Sequence, residues 1–128
     1  MKNIFVFVTL SLSQLVSAQW FTAAPLSTRR QEMPSVLLDG KIYTIGGIDN
    51  TGQTVATTEI YNPAANSWSI GEPMPTTRHH HAMCVLDRKI YVMGGYDNIL
   101  FTPQTSVFMF DPDSAKWILM FEIGRAHV

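Results

Sequence analysis

The stretch KIYVMGG, Lys89 to Gly95, repeats KIYTIGG, Lys41 to Gly47, and the fold follows from that repetition. Working outward, Pro25 to Gly47 aligns without a gap to Pro73 to Gly95 at a spacing of 48 residues. The alignment matches Arg30 with Arg78, Leu38 with Leu86, Asp39 with Asp87, and Ile42-Tyr43 with Ile90-Tyr91. Beyond the diglycines the spacing becomes 49, which pairs Tyr61-Asn62-Pro63 with Phe110-Asp111-Pro112 and Trp68 with Trp117. The single insertion falls between diglycine and aromatic-x-Pro, where a loop absorbs it.

Each copy reads as four short strands. Residues 33–39 and 81–87 are apolar-rich runs closed by Asp39-Gly40 and Asp87-Arg88. Asp-Gly between apolar runs is a two-residue hairpin signal, because a type I′ turn needs positive φ at both central residues. Arg88 replaces the glycine in the second copy, so that turn is expected to be strained or of another type. Residues 42–45 and 90–93 form second strands, rich in β-branched and aromatic side chains. The pairs Gly46-Gly47 and Gly94-Gly95 end them, marking places where a neighbour comes too close for a Cβ. Third strands are expected near 56–61 and 105–110, stopped by Asn62-Pro63 and Asp111-Pro112. Fourth strands run 66–70 and 116–119. No segment keeps helical spacing over three turns, so the chain reads as all-β.

Four short strands per unit, repeated, point to propeller blades. The ordered set resembles the kelch repeat: arginine, strand, Asp-Gly, Ile-Tyr-x-x-Gly-Gly, loop, aromatic-Asx-Pro, tryptophan. A fragment of a third copy precedes them, since Trp20 to Pro25 matches Trp68 to Pro73. The expected architecture is a kelch-type β-propeller with two complete four-stranded blades plus one stray outer strand, an incomplete ring. In residue terms this is an outer strand at 19–25, repeat 1 at 26–74 and repeat 2 at 75–121. The resemblance implies a ring of six or seven blades closed by that stray strand, with further sequence after Phe121. Two blades alone leave apolar faces and strand edges uncovered, so residues 19–121 are not expected to be stable by themselves. The resemblance also makes Tyr43, Tyr91, Trp68 and Trp117 packing residues of the repeat rather than catalytic groups.

Both ends are set apart from the repeats. Met1 to Ala18 has the form of a secretory signal peptide: Lys2, an uncharged apolar run from Ile4 to Val16, and Val16-Ser17-Ala18 as the small-residue cleavage pattern. That run is too short to span a bilayer, so cleavage, a secreted chain and no membrane span after cleavage are expected. Residues 122–128 match the translation of a common sequencing-library adapter and are expected to be an artefact of a truncated frame. Residues 19–121 hold seven Lys+Arg and nine Asp+Glu, a net charge near −2 that offers no basic surplus for nucleic acid. The single cysteine, Cys84, has no internal disulfide partner and sits in an apolar run, which predicts a buried, inert thiol.

The candidate contact surface comes from loop polar residues and repeat positions. Asp49, Asn50 and Thr51 follow the first diglycine; Tyr96, Asp97 and Asn98 follow the second. Arg30, Arg78 and His80 join them, with Glu32 at the place matching His80. Kelch-like adaptors that bind peptide degrons can carry an arginine at these two places; Glu32 and His80 depart from that and imply a different ligand. His79-His80-His81 is not expected to bind a metal, because successive strand side chains alternate faces and two histidines alone make a poor site. No catalytic group, metal or cofactor is assigned. The reading is a secreted module that binds an unknown protein or glycan. The alternatives are an extracellular propeller enzyme, copper radical oxidase-like or sugar-processing, and an intracellular ubiquitin-ligase adaptor.

Overall fold

The computed structural model describes residues 20–98 and 100–124, so the expected leader at 1–18 and residues 125–128 lie outside the described residues. Ten strands occur and, among the described residues, no helix. They are β1 (Arg30–Gln31), β2 (Ser35–Leu38), β3 (Lys41–Ile45), β4 (Ile48–Asp49), β5 (Thr58–Asn62), β6 (Ser67–Gly71), β7 (Ala82–Leu86), β8 (Lys89–Met93), β9 (Ser106–Asp111) and β10 (Lys116–Glu122). Two four-stranded antiparallel sheets result, in the orders β2-β3-β5-β6 and β7-β8-β9-β10, and each is one blade. The strands expected within the two blades form, with bounds shifted by a residue or two, and β10 runs on through Glu122 opposite Ser106. The short pair β1–β4 is an addition that periodicity did not reveal.

Both hairpins between the first two strands of a blade turn at positive φ. Asp39 and Gly40 take 49° and 72°; Asp87 and Arg88 take 48° and 60°. Arg88 therefore accepts the strain of a left-handed residue rather than changing the turn.

Register decides which residues meet between blades. Val36 stands opposite Tyr43, and Tyr43 opposite Ile60, so these share one face of the first blade with Ile45 and Leu38. In the second blade Met83, Val92 and Phe108 line up, as do Ile90, Phe110 and Trp117. The two faces press together in one core of Leu38, Tyr43, Ile45, Met74, Ile90, Val92, Phe108 and Phe110, with Tyr43 and Phe110 ring centroids 6.4 Å apart. Burying a side chain of this size stabilises by about 1.5–3 kcal/mol, so this seam dominates the fold.

Among the described residues the opposite face of the second blade is uncovered, and this corrects the expectation that Cys84 is buried. Cys84 shares that face with Tyr91, Met109 and Ile118, and it is exposed. Its repeat counterpart, Val36, packs against the core because a blade covers it. The thiol's environment is thus set by the absence of a neighbour on that side among the described residues.

Residues 20–25, expected as a stray outer strand, have no ladder partner among the described residues and form no strand. They are still held: Trp68 Nε1 donates to the Ala24 carbonyl at 2.7 Å. Trp117 Nε1 donates to Glu72 O at 3.1 Å in the matching place of the second blade. Both tryptophans also stack on aromatics of the third strand, Trp68 on Tyr61 and Trp117 on Phe110.

Three of the four repeat glycines sit where a Cβ does not fit. A Cβ on Gly46 meets the Arg78 carbonyl oxygen, one on Gly47 comes 2.7 Å from Gln31 O, and one on Gly95 comes 2.6 Å from His79 O. Gly94 differs: its nearest neighbour is 3.5 Å away, and its φ of +63° alone accounts for the glycine.

Candidate functional site

Two matching segments build the rim on one end of the blades. Gln31 pairs with Ile48 in the first blade, and His79 bridges Tyr96 in the second, at the same repeat position. In each case the segment after the repeat arginine is zipped to the loop after the diglycine. His79 N donates to Tyr96 O and Tyr96 N to His79 O, both at 3.0 Å. The glycines permit this approach, so the repeat signature places the loops.

Glu32 and His80, the next residues along, touch across the blades. Both take positive φ, 58° and 53°. His80 N donates to Glu32 O at 3.0 Å, and His80 Nε2 lies 3.0 Å from Glu32 Oε2. Each side chain remains partly exposed, 37% for His80 and 46% for Glu32. The positive φ of His80 breaks the strand alternation on which the histidine run was read. His79 Nδ1 and His80 Nδ1 consequently come within 2.6 Å instead of pointing apart. His79 itself is fully buried, with Nε2 at 2.9 Å from Asn98 O. The Tyr96 and Phe101 rings close over the imidazoles: Phe101 lies 5.2 Å from His79, 5.7 Å from His80 and 5.2 Å from Tyr96. Phe101 is half-exposed at the loop tip.

The other candidates divide into loop braces and buried anchors. Asp49 accepts from Thr51 Oγ1 at 2.7 Å, from Thr51 N at 2.9 Å and from Gln53 N at 3.0 Å. The Thr51 hydroxyl first, then the Gln53 amide, hold its carboxyl below the usual range. Asp49 thus shapes its loop, leaving Asn50 and Thr51 exposed at the tip. Arg29, Gln31, Asp49 and Asn50 line an open cleft of about 380 Å³ beside it. Asp97 Oδ2 accepts from Gln104 Nε2 at 2.8 Å, and Asn98 Nδ2 donates to Thr102 Oγ1 at 3.2 Å.

Arg30 and Arg78 do not present their charges to a ligand, contrary to expectation. The Arg30 side chain is wholly buried, reaching Glu59 Oε2 and Gly46 O at 2.5 Å and Thr57 O at 3.0 Å. Arg78 is 3% exposed and donates to Ser106 Oγ at 2.6 Å and Thr77 O at 3.2 Å. A guanidinium has five donors in a fixed fork. Arg30 places both Nη groups on carbonyl, hydroxyl and carboxylate oxygens, whereas Arg78 makes only two such bonds. The Nε of each is buried without a partner among the described residues. Glu59 corresponds to Phe108 in the second blade, so Arg78 has no salt bridge among the described residues. Desolvation lowers its pKa, with Asp97 opposing at longer range.

The structure therefore brings Glu32, His80, Tyr96 and Asn98 together, keeps Asp49, Asn50 and Thr51 in a neighbouring loop, and removes both arginines from the surface. Residue-type reasoning left out His79 and Phe101. The match of His79 to Gln31, directly before the Glu32–His80 pair, was the available signal; Phe101 had none, since it belongs to the loop after the second diglycine, where the two copies part. Among the described residues, no three His, Cys, Asp or Glu side chains are grouped to hold a metal ion, and no helix is long and apolar enough to cross a membrane.

No curated protein sequence gives a significant match. Solved structures do: one described as the structure of YjhT aligns with a TM-score of 0.75 at 22% identity, covering 85% of this chain. A fungal alcohol oxidase of the AA5 family, solved in complex with copper, aligns with a TM-score of 0.65 at 22% identity over 74% of this chain. The chain spans 42% and 23% of the lengths of those two proteins. At such identity the likeness establishes the propeller fold and nothing of activity. The Kelch motif profile matches residues 29–75 and 77–120, the two blades in turn, and the chain belongs to the kelch-repeat family of β-propellers.

Proposed function

We propose that these blades belong to a secreted kelch propeller that serves as a binding module for a protein or a glycan, with the rim of Glu32, Asn50, Thr51, His80, Tyr96 and Phe101 as its contact surface. The observation that carries this reading is the geometry of the rim. Polar and aromatic side chains from two successive blades converge at one end, on loops pinned to a rigid sheet by the diglycine approach. The half-exposed Phe101 ring and the partly buried Tyr96 ring, beside a carboxylate and an imidazole, suit both a peptide and a sugar face, through stacking and hydrogen bonding together.

Two experiments test the two parts. Expression from its own start codon in a secretory eukaryotic cell should release protein into the medium with Gln19 as its first residue; retention in the cytosol refutes the secreted part. Labelled chain is then applied to a glycan microarray and to a peptide library. Ligands retained by the wild type should be lost or weakened about tenfold or more when Tyr96 and Phe101 are both changed to alanine, the loss expected of a contact hot spot. Ligands held equally by that variant place the binding surface elsewhere.

A further inference from the structure

The charged side chains at this end of the blades are unevenly disposed. Arg30 is buried on Glu59 and Arg78 on Ser106, so neither guanidinium faces outward. Asp49 is tied into its own loop, and Asp97 is turned to Gln104. Arg29 is exposed but lines the cleft beside Asp49, on the first blade. Next to the Tyr96 and Phe101 rings, the charged group left facing outward among the described residues is Glu32. Its Oε2 faces His80 Nε2 at 3.0 Å, while Oε1 has no hydrogen-bond or ion-pair partner among the described residues. The second ring nitrogen of His80 meets His79, so the imidazole serves to hold the carboxylate in place. The same imidazole lies 5.7 Å from the Phe101 centroid and 6.0 Å from that of Tyr96, which sets carboxylate and rings on one patch.

The backbone is strained to hold this patch. Among the described residues eight non-glycines have positive φ, and five of them, Asp39, Asn66, Asp87, Arg88 and Ala115, sit in turns between neighbouring strands of a blade. The other three are Glu32, His80 and Phe101. No hairpin asks for the left-handed conformation at these three, and a bulky side chain such as phenylalanine disfavours it. Strain of this kind marks a geometry imposed by the surroundings, and here it presents a carboxylate beside two aromatic rings. The first blade has Ile48 in the place of Tyr96, so the patch occurs at this seam and is not repeated.

We infer that this patch takes a cationic side chain of a partner protein, an arginine stacked on the Tyr96 and Phe101 rings with its guanidinium at Glu32 Oε1. A carboxylate with an open oxygen draws a cation, and the negative faces of aromatic rings add attraction of the same sign. Arginine suits the patch better than lysine, since its planar, weakly hydrated guanidinium stacks on rings while donating in its plane to a carboxylate. An acidic peptide meets Glu32 with both repeat arginines buried and is repelled. A neutral sugar gains no charge pairing there. The inference rests on the rim being the contact surface, as proposed above, and narrows its ligand to a basic segment of a protein.

Amide ¹H–¹⁵N spectra of the labelled chain test this while N-acetyl-arginine amide, N-acetyl-lysine amide, N-acetyl-glutamate amide and methyl glucoside are added in separate titrations. The arginine probe should move the amides of Glu32, His80, Tyr96 and Phe101 at the lowest concentration, with lysine second, and sodium chloride should weaken both. Glu32→Gln keeps an oxygen toward His80 but removes the charge, and should raise the midpoint of the arginine titration about threefold or more. Phe101→Leu should raise it by a similar factor, and Phe101→Tyr, which keeps a ring, should restore it. Glutamate or glucoside moving the same amides as strongly as arginine overturns the inference and leaves the rim as a contact surface. Arginine shifts that lie elsewhere on the chain overturn both. An absence of rim shifts with the arginine probe, or an unchanged midpoint in Glu32→Gln, overturns the inference alone, because the glycan and peptide screens judge the rim independently.

Discussion

Arg88 Nη2 stands 3.0 Å from Asp39 Oδ2, so the strained turn of the second blade is tied to the turn of the first. The same guanidinium reaches Asp113 Oδ1 at 3.4 Å. Both pairs are well exposed, with Arg88 at 64%, and exposed pairs contribute about 0.2–1 kcal/mol. A left-handed non-glycine residue costs about 1–2 kcal/mol. Arg88→Gly removes the strain, loses the pairs and gains about 0.5–1 kcal/mol of unfolded-state entropy, so these effects nearly cancel. We expect Arg88→Gly within about 1 kcal/mol of wild type in urea denaturation, and Arg88→Val about 2 kcal/mol below it because of its branched Cβ. Equal stability of the two variants contradicts the strain account.

The two repeat arginines should respond differently to the same change. Arg30→Met leaves the Glu59 carboxylate buried without its partner, which costs about 3–5 kcal/mol. Arg78→Met orphans only the Ser106 hydroxyl and a carbonyl, a loss of about 1–3 kcal/mol. Glu59 also carries a pH signature. Burial alone raises its pKa, but hydrogen bonds from Ser27 and Arg30 outweigh it and hold the carboxyl below its usual value. A depressed folded pKa means stability that is present above the unfolded carboxylate range and lost as pH falls through the folded value. Acid unfolding of Arg30→Met should therefore begin at higher pH than that of Arg78→Met.

Glycine substitutions separate conformational strain from collision. Gly40 has φ +72° with nothing within 4 Å of an added Cβ, so Gly40→Ala should cost about 1 kcal/mol. Gly46→Ala adds a clash with the Arg78 backbone that no side chain can relieve, and is expected to lose about 3 kcal/mol or more. Thermal melts of the two variants side by side give the comparison, and similar losses count against the close-approach explanation.

His81 is 5% exposed, and neither ring nitrogen is hydrogen-bonded among the described residues. Burial first, then the charges of Arg78 and His79, push its pKa down to about 4. Between that value and the ordinary 6.5 the unfolded chain binds more protons than the folded one, so stability rises with pH across the window. The total is on the order of 3 kcal/mol. Met33 fills the matching place of the first blade, packed on Gly47. His81→Met should flatten the slope of stability against pH in this window; an unchanged slope assigns it to other groups.

The architecture was legible because each local signal agreed with the repeat. Turn dipeptides, β-branched runs and diglycines stood at equal spacing, and a register once set sends alternate residues to the core. What escaped was decided by neighbours rather than by local sequence. Cys84 and Val36 hold equivalent strand positions, yet one is exposed and the other packed, because among the described residues only Val36 has a blade over it. Arg30 and Arg78 looked like surface charges because a single sequence does not show which strand-end carbonyls and hydroxyls will surround a guanidinium. At the rim, the pairing of Glu32 with His80 was readable as a match of repeat positions. The N–N contact of His79 and His80 was not, since it depends on one residue leaving the strand conformation.

The two tryptophan contacts bear on how such a chain grows. Trp68 is stitched to Ala24 and Trp117 to Glu72, each outer strand holding the backbone that leads into its own blade. Each stitch crosses a repeat boundary, since Ala24 precedes repeat 1 and Glu72 lies within it, and the acceptor is a main-chain carbonyl that any residue supplies. Recombination between equivalent points, such as Gly47 and Gly95, would therefore add or remove one whole unit and leave every stitch intact. Duplication of a unit then needs no compensating change at this hydrogen bond.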